Sequence, residues 1–157
     1  ALYDDEAGTI KRFKAVHCGV ATQTDAGLMV PVLRHTEAQT MWEVAAGIKR
    51  LSDAARNRRV LHEELSGSTI TVTSLGTLGA IATTPIINHP EVAIVGINKI
   101  AVRPVWDGTA FVPRRMMNLS CSFDHRVVDG WVAAEFVQTL KTMLESPAMM
   151  FMELSDE

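Results

Sequence analysis

Residues 118–131, Asn118 to Trp131, read NLSCSFDHRVVDGW. The first half continues a strand-like run. The second half crowds a histidine, an arginine and two aspartates into the turn where a helical pattern begins. Two readings fit. In one, His125 is a catalytic base with an orienting carboxylate nearby. In the other, this is a charged strand-to-helix turn: Asp129 caps the helix by accepting from its free backbone N–H groups, and Arg126 pairs with Asp124 or Asp129 at the surface. The spacing alone does not separate them, so the rest of the chain has to.

Working outward, Val132, Ala133, Phe136, Val137, Leu140 and Leu144 recur at helical spacing after Gly130 until Pro147 stops them. Upstream, EVAIVGINKIAVRPV reads as one nearly continuous apolar strand. WDG at Trp106 to Gly108 reads as a hairpin turn, and FVPRRMMNLSCSF as the returning strand. Thr69 to Thr73 forms a β-branched strand that leads into a loop punctuated by Gly76, Gly79 and Pro85, where backbone approaches something closely. Nearer the start, TIKRFKAVHCGVATQT and LMVPVLR flank the DAG turn at Asp25 to Gly27 and predict a strand pair. Thr36 and Gln39 have capping-box spacing, and Met41, Val44, Ala45, Ile48, Leu51 and Ala55 follow at helical spacing, which predicts an amphipathic helix from Thr36 to about Asn57. The expected fold class is α/β, a mixed sheet with packed helices, in one domain.

The chain has 157 residues, 47% of them hydrophobic, enough for a core. Its 15 basic and 18 acidic residues leave a net charge of -3 without long like-charge blocks, which argues against binding to nucleic acid or anionic lipid. Arg56, Arg58 and Arg59 read as a solvated helix end. Cys18 and Cys121 form no CxxC motif, and His17, His35, His62 and His89 form no cluster, so neither a disulfide framework nor a metal site is expected. No apolar run is long enough for a membrane span, and the acidic opening ALYDDEAG is unlike a signal or transit peptide. The chain reads as soluble and intracellular.

A histidine base needs a nucleophile to activate and donors for the oxyanion that forms when a carbonyl is attacked. Thr73 and Ser74 supply hydroxyls at the end of a strand beside the glycine loop, although β-propensity alone also accounts for Thr73. Cys121, four residues before His125, offers a Cys–His hydrolase instead, against its reading as a small buried hydrophobe. Met116 and Met117 read as core or channel lining.

These segments carry a family likeness. SFDHRVVDG resembles the DHRxxDG signature of the dihydrolipoamide acyltransferases of 2-oxo acid dehydrogenase complexes, and its HxxxD core is shared with chloramphenicol acetyltransferase. AGLMVPVLR, TITVTSLGTLGA, TTPIINHPEVAIVGINKI, RPVWDGTAFVPRRMMNLSCSFDHRVVDG and ESPAMMF resemble consecutive family segments in order. Within the family the chain most resembles a bacterial branched-chain acyltransferase, with the acetyltransferase of the pyruvate complex second.

The resemblance implies a chloramphenicol-acetyltransferase-like fold, with residues 1–157 forming an N-terminally incomplete acyltransferase catalytic domain. It implies that His125 removes a thiol proton, that Asp129 holds the loop, and that Thr73 stands where serine usually stabilises the oxyanion. Ser74 and Asn98 would line the coenzyme A side of the channel. The implied reaction moves an acyl group between S-acyl-dihydrolipoamide and coenzyme A, with the lipoyl group carried on a separate domain and no acyl-enzyme. Implied partners are two further copies in a trimer, with His125 and Thr73 contributed by different subunits, trimers assembled into a cubic core, and the decarboxylase and dihydrolipoamide dehydrogenase components. The implied setting is the bacterial cytoplasm, or the mitochondrial matrix in a eukaryote. The family's domain begins earlier and supplies an arginine that pairs with the loop aspartate; no residue here aligns with it. A scaffold fragment without activity is therefore the alternative.

Overall fold

The computed structural model describes residues 1–148 and Met150. A hairpin of β1 (Leu2–Asp4) and β2 (Thr9–Lys11) comes first. Next come β3 (Cys18–Val20), β4 (Thr22–Thr24), β5 (Gly27–Met29) and β6 (Val32–Leu33). The DAG turn forms as expected: Gly27 takes the positive φ of 113°, and the Thr24 hydroxyl donates to its carbonyl at 2.7 Å. The expected single strand pair is split, however, into β4 with β5 and β3 with β6. Thr9–Lys11 belongs instead to the first hairpin.

The first helix, α1 (Met41–Arg56), starts later than its predicted Thr36. Thr36–Ala38 makes only a 3-10 turn, because the Thr36 hydroxyl donates to the Val16 carbonyl and the Gln39 amide to the Arg34 carbonyl. The capping box is built by Thr40 and Glu43: Glu43 N–H donates to Thr40 Oγ1 at 3.3 Å, and Glu43 Oε2 accepts from Thr40 N–H at 2.8 Å.

After β7 (Ile70–Ser74), the two long apolar runs break where single strands were expected. β8 (Ala93–Ile97) is separated from β9 (Ala101–Trp106), and β10 (Phe111–Met116) from β11 (Leu119–Phe123). Asn98 causes the break: it is 2% exposed, and its Nδ2 donates at 2.9 Å to both the Asn118 carbonyl and Ser120 Oγ, crossing the gap between the strands. Beyond it, β9 and β10 form a separate two-stranded arm. Its tip is the predicted turn, in which Asp107 Oδ1 accepts from Thr109 and Ala110. The second helix, α2 (Gly130–Glu145), falls where its apolar spacing puts it.

The central sheet runs β11–β8–β7–β3–β6, with β3, β7 and β8 parallel and the two outer strands antiparallel. Strand alternation sorts its side chains onto two faces. Ile70, Ala93 and Phe123 face α2, and Leu33 packs against Gly47 of α1, so both helices cover the same side. Thr71, Thr73, Ile94 and Gly96 face the other way, under the 81–90 loop. The buried apolar side chains include Val32, Leu33, Leu51, Ala55, Val92, Ile94 and Val95. No helix among the described residues is long and apolar enough to cross a membrane. Thr40→Ala should destabilise the fold by about 1 kcal/mol in chemical denaturation. Thr36→Ala, which removes no helix cap, should cost less.

Candidate active site

β11 ends at Phe123, and its ladder extends one bond further, from the Asp124 N–H to the Val92 carbonyl. The chain then turns: the Asp124 carbonyl accepts from the N–H groups of Val127 and Val128, which presents His125 to solvent at the crest. Asp129 follows as the N-cap of α2, with Oδ1 accepting from Val132 N–H at 2.9 Å. His125 and Asp129 thus share one short connection, and Asp129 does perform the capping duty weighed for it. Among the described residues it has no ion pair.

Arg126 locks this turn. Its Nε and Nη2 donate to both carboxylate oxygens of Asp124 at 2.7–3.2 Å, and Nη1 donates to Asp5 at 2.6 Å. The guanidinium also lies 4.5 Å from the centre of the Tyr3 ring. Arg126 therefore ties the first hairpin to the histidine turn. Its hydrogen bonds hold the Asp124 carboxyl below the usual carboxylate range, and Asp124 followed by Asp5 raises the Arg126 guanidinium above its own. The Asp5 and Tyr3 contacts are invisible to local sequence reading because they span more than a hundred positions.

Thr73 lies elsewhere, lining a cleft of about 600 Å³ on the face away from the helices, together with Leu28, Val30, Leu75, Pro85 and Ile86. Glu91, which the sequence reading passed over, supports this cleft. It is 3% exposed, and its Oε1 accepts from Thr71 at 2.8 Å, from Asn88 at 3.0 Å and from Ser68, fastening the loop to the sheet. Ser74, the next residue, points to the opposite face by strand alternation and is exposed. Asn98 lies on the Thr73 face, buried and engaged in closing the sheet.

Within one chain Thr73 and His125 are not brought together. Thr73 pairs with Gly96 of β8, whereas Asp124 bonds to Val92, four residues nearer the start of that strand and on its other side. That places the two roughly 13 Å apart along the strands and roughly 10 Å across them, far beyond hydrogen-bond reach. Burial raises the Cys121 thiol pKa and pushes that of Cys18 up to about 11, disfavouring the thiolate a cysteine nucleophile needs. No group of three or more His, Cys, Asp or Glu among the described residues could hold a metal ion.

A mixed sheet with two helices on one face and a histidine turn at its edge makes this an α/β domain, and solved structures share the architecture. The chain matches the cubic core of the pyruvate dehydrogenase multienzyme complex at TM-score 0.91 and 39% identity, covering 96% of this chain and 62% of that one. It matches Azotobacter vinelandii dihydrolipoamide acetyltransferase at 0.91 and 40%, with the same coverage, in a structure examining a serine, a histidine and an asparagine in the catalytic mechanism. The model of the family 2-oxoacid dehydrogenases acyltransferase (catalytic domain) matches residues 1–152, and the chain belongs to that family. It is 58% identical to the lipoamide acyltransferase component of the branched-chain alpha-keto acid dehydrogenase complex of Pseudomonas aeruginosa, and 60% identical to that of Pseudomonas putida. Each match covers 98% of this chain, which spans 36% of the length of those relatives.

Removing the clamp tests the turn. Arg126→Ala should leave the fold intact, return the Asp124 carboxyl to its ordinary range in an NMR titration, and lower any His125-dependent turnover on the order of tenfold or more through misplacement. Arg126→Lys should rescue little, since an ammonium cannot reproduce the fork. Because the folded-state pKa of Asp124 is depressed, its stabilising contribution is present above its unfolded pKa and lost as pH falls through the folded one.

Proposed function

We propose that this chain forms the acyl-transfer part of a lipoamide acyltransferase catalytic domain, moving a branched-chain acyl group between dihydrolipoamide and coenzyme A. One observation carries the assignment. In the Azotobacter vinelandii enzyme the serine examined lies 52 positions before the histidine, and the asparagine four after it. Thr73, His125 and Asp129 have the same spacing here. The branched-chain preference rests on identities of 58% and 60% to the Pseudomonas branched-chain components, against 45% to the acetyltransferase of Pseudomonas aeruginosa.

In this reading His125 takes the proton from the coenzyme A thiol as its sulfur bonds to the thioester carbonyl carbon. The Thr73 hydroxyl donates to the carbonyl oxygen while it carries negative charge. As the bond to the lipoyl sulfur breaks, His125 returns the proton to that sulfur. Acyl-coenzyme A and dihydrolipoamide leave, and His125 ends as it began. Asp129 fixes the turn through α2, and Thr73 offers the same hydroxyl as serine with one more methyl. Asn98, on the same face as Thr73, is assigned to the coenzyme A side of the channel, where it acts by holding the sheet closed beneath it; Ser74 points to the opposite face and is left out of that lining.

The separation of Thr73 from His125 supports a site completed between two copies, the histidine of one meeting the threonine of the next. Trimers of this kind would build a larger core and work with the decarboxylase and dihydrolipoamide dehydrogenase components of the complex.

His125→Ala should lower turnover by about 10²–10⁴-fold in a coenzyme A-dependent transfer assay on the assembled full chain. Thr73→Ala should cost on the order of 10²-fold, and Thr73→Ser little. Assembling the two inactive variants together, His125→Ala with Thr73→Ala, should restore roughly a quarter of the activity, because some pairs of neighbours then carry both intact groups. Mixed assemblies that stay inactive would refute the shared site.

A further inference from the structure

We propose that Glu91 is a positioning residue for acyl transfer, setting the wall of the Thr73 cleft against which a branched acyl chain packs; this rests on the acyl-transfer reading above. Glu91 lies two residues before β8 and is 3% exposed. One oxygen, Oε1, accepts from Thr71 Oγ1 at 2.8 Å, from Asn88 Nδ2 at 3.0 Å and from Ser68 Oγ. The other, Oε2, is buried and has no hydrogen-bond partner among the described residues, and no Lys, Arg or His among them pairs with the carboxyl group. A buried acceptor without a donor costs stability, and apolar side chains of similar volume would fill that space at less cost. Stability alone therefore explains the group poorly. Its three donors come from the approach to β7, from β7 itself and from the 81–90 loop, so a single atom sets the distance between the strand that carries Thr73 and the loop that covers the cleft.

The loop needs such an anchor. Upstream it is bound by Thr83 N–H donating to Ser120 Oγ and by Ser122 Oγ donating to the Pro85 carbonyl. Its next tie is Asn88, so Ile86 and Ile87 span the interval with no backbone hydrogen bond of their own among the described residues. Both line the cleft, and Ile86 is 89% exposed in the single chain. Thr71 and Thr73 stand on the same face of β7, two residues apart, so the bonds running from Asn88 through Glu91 to Thr71 hold the two isoleucines in the cleft that Thr73 lines. An acyl group whose carbonyl oxygen meets Thr73 extends its chain between Leu28, Val30, Leu75 and Ile86. Apolar walls tell chains apart by the methyl groups they contact, and only while the wall stays at contact distance. Glu91 thus acts on the substrate through the loop.

Steady-state kinetics of the assembled full chain with isobutyryl- and acetyl-dihydrolipoamide test this. In Glu91→Ala the ratio of kcat/KM for the branched over the acetyl substrate should fall on the order of tenfold, with the KM for coenzyme A unchanged. Glu91→Gln, which keeps an acceptor oxygen for the three donors, should retain most of the ratio. Asn88→Ala, which frees the loop and leaves the carboxyl group in place, should move the ratio in the same direction as Glu91→Ala and decides the matter if that variant does not assemble. An unchanged ratio in a folded Glu91→Ala or Asn88→Ala would overturn the proposal. So would an equal loss for both acyl groups, the mark of a purely structural residue. In mixed assemblies that regain activity, Glu91→Ala should lower branched-acyl turnover when added to the His125→Ala chain, which supplies Thr73, and have little effect when added to the Thr73→Ala chain; equal losses on the two chains would overturn the proposal as well. An unsubstituted protein that transfers no acyl group from either donor would instead bring down the acyl-transfer reading, and the proposal with it.

Discussion

The close approach at Gly96 is the constraint on which the site face depends. Gly96 pairs with Thr73 on one side and Ser120 on the other, so it is the point where β7, β8 and β11 are in register. A Cβ there would come within 2.9 Å of the Ser120 carbonyl oxygen and 3.0 Å of Thr83 Oγ1, with Pro85 just beyond. Only a hydrogen lets the 83–85 stretch lie flat on the sheet. That stretch is bound there by Thr83 N–H to Ser120 Oγ and by Ser122 Oγ to the Pro85 carbonyl. It covers the cleft that Thr73 lines, and Glu91 fastens the far end of the same loop through Asn88.

The same register gives the sheet two chemically distinct ends. At the end where β7 and β8 finish, hydroxyls stand beside an apolar cleft and the β9–β10 arm departs. At the other, β11 delivers a histidine on a turn held by a guanidinium clamp of four hydrogen bonds and a helix cap. A parallel β7–β8 pair flanked by antiparallel β11 makes this polarity unavoidable, because the chain leaves β11 at the end where β8 begins. Within a single chain neither end brings Thr73 and His125 together.

Local chemistry was legible in the sequence wherever the deciding contacts are local. The DAG and WDG turns, the strand at Thr69 to Thr73 and the helix after Gly130 follow from residue types that restrict backbone conformation within a few positions. The start of α1 was not, because Thr36 with Gln39 and Thr40 with Glu43 offer the same spacing, and distant carbonyls of Val16 and Arg34 settle the competition. The breaks at Asn98 and Met117 were hidden inside apolar runs, since an amide that bonds across to another strand leaves no periodic trace. His125, Asp129 and Thr73 were singled out in the sequence, but the separation of Thr73 from the other two in one chain became visible only with the strand register. Asp5, Tyr3 and Glu91 act through long-range contacts that no short motif encodes.

The cap at Asp129 has a consequence for substitution. What α2 draws from that side chain is one acceptor oxygen aimed at Val132 N–H, and an asparagine amide offers the same oxygen with nearly equal capping power. Asp and Asn can therefore interchange there without shifting the helix or the turn that holds the imidazole. Related chains are free to tune the field around the histidine by a full unit of charge while its position stays the same.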